Sequence, residues 1–159
     1  MGLREILLSA LEMAESPTLV SKALWCITNI LQEDSHDITR PITHECGGEV
    51  FQKCLDVLVH SNDSLVHINA LPLVTGFILK PNEDVLVHQI EQQNPLILEG
   101  LLKRGLKSCS SSYKCLDSSL QAIVRLIELD MQDHDTGDIE KRFVPRLLAA
   151  DGIHLLEEA

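Results

Sequence analysis

Aromatic residues make up only 3% of this 159-residue chain: one Trp, one Tyr and three Phe. The core must therefore come from Leu, Ile, Val and Ala, a composition that suits stacked helices better than a β-sandwich. Basic residues are also short, at 13 Lys+Arg against 24 Asp+Glu, a net charge of −11. Nucleic-acid phosphates need a basic surface, so that class is excluded. The sign of the field favours a basic partner. No run of about 18 apolar residues is present, so no transmembrane helix is expected. The start, Met1-Gly2-Leu3-Arg4-Glu5, lacks the basic-then-apolar order of a secretory signal. The cysteines (Cys26, Cys46, Cys54, Cys109, Cys115) form no CxxC pair and are odd in number, which reads as a reduced, intracellular chain. Neither GxxxxGK[ST] nor GxGxxG occurs. What remains is ordinary for a globular fold: 45% hydrophobic residues, in a chain of a length that buries about 68–70% of its unfolded surface.

The chain repeats itself. From Val20 to Leu31 the apolar residues fall at Val20, Ala23, Leu24, Ile27, Ile30 and Leu31, one face of a helix. A shift of 47 places His67, Ala70, Leu71, Val74, Phe77 and Ile78 in the same slots. A further 49 places Leu116, Ser119, Leu120, Ile123, Leu126 and Ile127 there. His67 and Ser119 are the two polar exceptions. Start signals precede each segment: Ser16-Pro17, Ser61-Asn62-Asp63-Ser64, and the serine run from Ser108 to Ser112. Another apolar helix comes before each, over Leu3 to Met13, Val50 to Val59 and Leu96 to Leu106. Short helices are predicted around Ile42 to Cys46 and Val85 to Gln92, with Gly47-Gly48 and Asn94-Pro95 at the joins.

The unit is short helix, long helix, long helix in a little under 50 residues, which fits an all-α, armadillo/HEAT-like right-handed solenoid of about three and a half repeats. The expected division is a partial repeat over 1–32, repeats over 41–80 and 83–131, and an incomplete terminal repeat over 139–159. Asp130 to Asp138 reads as a solvated acidic loop, because it lacks the EF-hand order of ligands. Helices are expected from Ile139 to Ala149 and from Ile153 to Glu158.

At 100° per residue, Trp25 and Asn29 fall opposite the apolar stripe of their own helix and stack one turn apart. An exposed Trp offers a flat apolar wall and a cation–π surface for Lys or Arg. The amide can donate to and accept from an extended backbone. The alternative is that the preceding helix covers the indole.

Lys22-Ala23-Leu24-Trp25-Cys26-Ile27-Thr28-Asn29-Ile30-Leu31 resembles the third helix of an importin-α (karyopherin-α) armadillo repeat, with its ALWxxxNI pattern. Cys115 to Glu128 resembles the third helix of that family's penultimate repeat, and Ala150 to Glu157 the opening of its last one. The resemblance covers the family's C-terminal third. It implies a non-enzymatic adaptor, cytoplasmic and nuclear, that binds basic nuclear localisation signals in a concave groove for protein import. Trp25 would flank the stem of a Lys or Arg, Asn29 would bond the peptide backbone, and Thr28 would add a polar contact. An export receptor at the C-terminal repeats is a further partner it implies.

The sequence also departs from that pattern. The slots of Trp25 and Asn29 hold Pro72 and Gly76 in the second unit, and Gln121 and Arg125 in the third. A mid-helix Pro is expected to kink the helix unless the helix starts later. Lys22 stands where the family often carries an acid, and no basic N-terminal segment precedes the first helix. These departures keep open a scaffold outside transport, or a truncated family member without cargo binding. No metal, cofactor or catalytic group is expected. His44, Glu45, Cys46, Cys54 and His60 lack the paired spacing of a zinc site. No cysteine sits in a nucleophile signature.

Overall fold

The computed structural model describes residues 2–13, 15–32, 47–79, 94–108, 113–132 and 143–149. Every element among them is helical. These are α1 (Leu3–Leu11), α2 (Pro17–Gln32), α3 (Gly47–His60), α4 (Ser64–Leu79), α5 (Asn94–Glu99), a π-helical segment (Gly100–Ser108) that continues α5, α6 (Tyr113–Gln132) and α7 (Phe143–Ala149). None is long and apolar enough to cross a membrane. The predicted helices around Ile42 and Val85 and the one after Ile153 lie outside the described residues, as do residues 139–142.

The start signals act as their chemistry requires. Pro17 opens α2, where its missing N–H is not needed. Asp63 caps α4, its Oδ1 accepting the N–H groups of Leu65 (2.9 Å) and Val66 (3.2 Å). Gly47 and Gly48 lie in the first turn of α3, where interior helical hydrogen bonds are not yet required.

The helices form two layers. α2, α4 and α6 lie side by side with α4 in the middle; α1, α3 and α5 with its π segment form the second layer behind them. Within each pair the long helices are neighbours: α1 with α2, α3 with α4, the π segment with α6. α7 closes the end against α5 and α6. The eighteen slots of the shifted pattern are all buried or half-buried. Packed on three sides, α4 also buries Val66, Leu73 and Thr75.

Both polar exceptions have local reasons. His67 donates from Nε2 to the Ser61 carbonyl at 2.7 Å, tying α4 to the turn before it. Ser119 donates to the Cys115 carbonyl of its own helix at 2.8 Å and sits where the π segment comes closest. That segment carries a glycine at each contact. A Cβ on Gly100 would lie 3.1 Å from Leu58 of α3. One on Gly105 would overlap Ser119 of α6.

α4 does not start late: it runs from Ser64 through Pro72 to Leu79, with the proline inside the helix. Pro72 has no N–H to return to the Ile68 carbonyl, a loss worth about 3 kcal/mol in a helix interior. Burial of α4 between its neighbours offsets that cost. Gly76 is exposed, and a Cβ there would meet nothing within 4 Å, so it adds a second weak point. Gly76→Ala is expected to raise the unfolding free energy by about 1 kcal/mol, read as a higher urea midpoint with an unchanged slope.

Candidate functional site

The face of α2, α4 and α6 turned away from the second layer carries the sequence-predicted site. Trp25 is 60% exposed, so α1 does not cover it. Asn29, exposed one turn on, donates from Nδ2 to the Trp25 carbonyl at 2.9 Å. That bond fixes the amide one turn along the helix from Trp25. An amide carries two N–H hydrogens and an acceptor oxygen, so one donor and the oxygen remain for a ligand backbone. Thr28 is turned aside: half-buried, it donates its hydroxyl to the Leu24 carbonyl at 3.0 Å. The exposed pair is Trp25 and Asn29, while the Thr28 hydroxyl is engaged within its own helix.

Two residues that the sequence pattern did not single out hold this face together. Asn69 of α4 donates to Ser21 Oγ of α2 and to the Leu65 carbonyl of its own helix, both at 2.9 Å. The slot shift of 47 does relate Asn69 to Lys22, a polar residue beside the Trp, and was the available signal.

Beyond Asn69 the face becomes apolar. Leu65 is 61% and Ile68 45% exposed, Pro72 is half-buried, and Gly76 leaves open space. On α6 the same face is polar and internally paired. Gln121 donates to Asp117 at 2.8 Å, and Arg125 meets Glu128 at 3.1 Å. The Arg125 charge, which would oppose a basic ligand, is thus partly answered by its own helix. Val124 of α6 is also exposed.

Burial pushes the Cys54 thiol up to about 12, so it stays protonated. Cys115 is buried and Cys26 half-buried, and all three are free thiols. His44, Glu45 and Cys46 lie outside the described residues. Among the described residues, no three of His, Cys, Asp and Glu gather as a metal site. No protein-family model, curated protein or solved structure matches the chain.

Proposed function

We propose that the chain is a segment of an armadillo-type right-handed solenoid acting as a non-enzymatic adaptor for basic nuclear localisation peptides, working between cytoplasm and nucleus. The observation that carries the reading is Trp25, exposed on the outward face of α2 with the Asn29 amide fixed one turn along. An extended peptide crossing α2 would lay a Lys or Arg stem on the indole and bond its backbone to the amide. The net charge of −11 attracts such a ligand. A fluorescent Lys/Arg-rich peptide is expected to bind near the micromolar range. Trp25→Ala is expected to weaken it at least about tenfold, as loss of a hot-spot aromatic does. Equal anisotropy titrations for both proteins would overturn the reading.

The apolar stretch of Leu65, Ile68 and Pro72 favours a second reading, a scaffold outside transport that holds an apolar partner on α4. In that case Ile68→Lys abolishes partner capture while Trp25→Ala spares it. Capture that depends on Trp25 and tolerates Ile68→Lys would contradict this alternative.

A further inference from the structure

A cavity of about 620 Å³ opens at the helix ends where the α1–α2 and α3–α4 turns meet. It is apart from the Trp25 face, and Trp25 does not line it. Its floor is apolar: Leu11, Val20 and Val66 are buried and Val57 is half-buried. Its rim carries Glu12, Asp56 and Asp63 against one ammonium, Lys53.

These charges are unequally occupied. Lys53 donates to Glu12 Oε1 at 2.6 Å. That bond, with the fields of Glu12, Asp56 and Glu49, holds the ammonium above the usual lysine range. Asp63 Oδ1 is taken by the first N–H groups of α4. Asp56 Oδ1 accepts from Gln52 at 2.8 Å, while its Oδ2 accepts from no group among the described residues. Three carboxylates and the one ammonium line the rim with His60, and Arg104 of the π segment donates to Asn62 on it at 3.5 Å.

We infer that this cavity docks a short partner segment carrying a Lys or Arg next to an apolar residue. The apolar side chain lies on the valine and leucine floor. The cation reaches Asp56 and Asp63, where charge-assisted hydrogen bonds are strongest. The volume lies in the range of ligand pockets and exceeds one side chain, which suits two or three residues. An acidic segment would face the carboxylates, and a neutral one would bring no cation to Asp56 Oδ2.

The test is a titration of the whole chain, followed by NMR at the Val57 and Val66 methyls. The probes are acetyl-Leu-Lys-amide and its neutral analogue, acetyl-Leu-norleucine-amide. The lysine probe is expected to shift both methyls saturably and to bind about fivefold tighter than the analogue. Asp56→Asn keeps an acceptor for Gln52 and is expected to erase that difference. Lys53→Gln removes the competing ammonium and is expected to tighten the lysine probe. Trp25→Ala is expected to leave all of this unchanged, so failure of the Trp25 groove does not carry over. Equal affinity for the two probes, or weaker binding by Lys53→Gln, would overturn the inference. Tryptamine shifting the methyls where the lysine probe does not would overturn the peptide as occupant.

Discussion

Phe51→Ala is expected to lower the unfolding free energy by about 3–5 kcal/mol. Phe51 is fully buried on α3, and its ring meets Phe77 of α4 edge-on, with centroids 5.8 Å apart and planes at 71°. Two of the three phenylalanines in the chain are thus committed to one contact between the layers. Truncation removes the transfer energy of the ring and about 0.5–1.5 kcal/mol of aromatic pairing, and it leaves a cavity. Urea unfolding is the readout. Phe51→Leu should cost less than the alanine variant, and Leu19→Ala, on the exposed side of α2, should stay within about 0.5 kcal/mol of the parent. A loss for Phe51→Ala no larger than that for Leu19→Ala would contradict the two-layer core.

Gly105→Ala is the second large effect, expected at about 3 kcal/mol, the upper end of ordinary overpacking. The new methyl would overlap Ser119 Oγ, lie 2.9 Å from Ser119 Cβ and touch Leu71 at 3.5 Å. Ser119 cannot swing away, because it is fully buried and bonded to the Cys115 carbonyl. Adding Ser119→Ala to Gly105→Ala removes the nearest atom and should restore part of the loss, whereas Ser119→Ala alone should cost less than about 1 kcal/mol. Strict additivity of the two changes in urea unfolding would mean the π segment and α6 are not in contact at this point.

Part of this architecture was legible in the sequence and part was not, for physical reasons. A helix of period 3.6 must turn the same slots inward wherever it packs, so the shifted pattern from Val20 to Leu31 marked the buried face of α2, α4 and α6. It placed Trp25 opposite that face but left open whether α1 covers the indole, which the packing decides. Periodicity carries no information on how two backbones approach, so the Gly100 and Gly105 contacts and the π-helical winding between them were invisible. The Pro72 penalty was read correctly as a local cost, but the burial of α4 on three sides outweighs it, and that is a tertiary quantity. Side-chain choice among hydrogen-bond partners was likewise hidden. Thr28 turns back to the Leu24 carbonyl, and Asn69 reaches across to Ser21, choices that helical spacing does not fix.

The single Trp of the chain stands at the proposed site, so its own emission reports on the central claim without a label. Titrating a Lys/Arg-rich peptide should move Trp25 emission saturably as the lysine stem covers the exposed indole. The change should be lost when the basic residues are replaced by Glu and should weaken with salt. An unchanged emission spectrum across the titration, or the same change with the acidic peptide, would contradict a basic-peptide groove at Trp25.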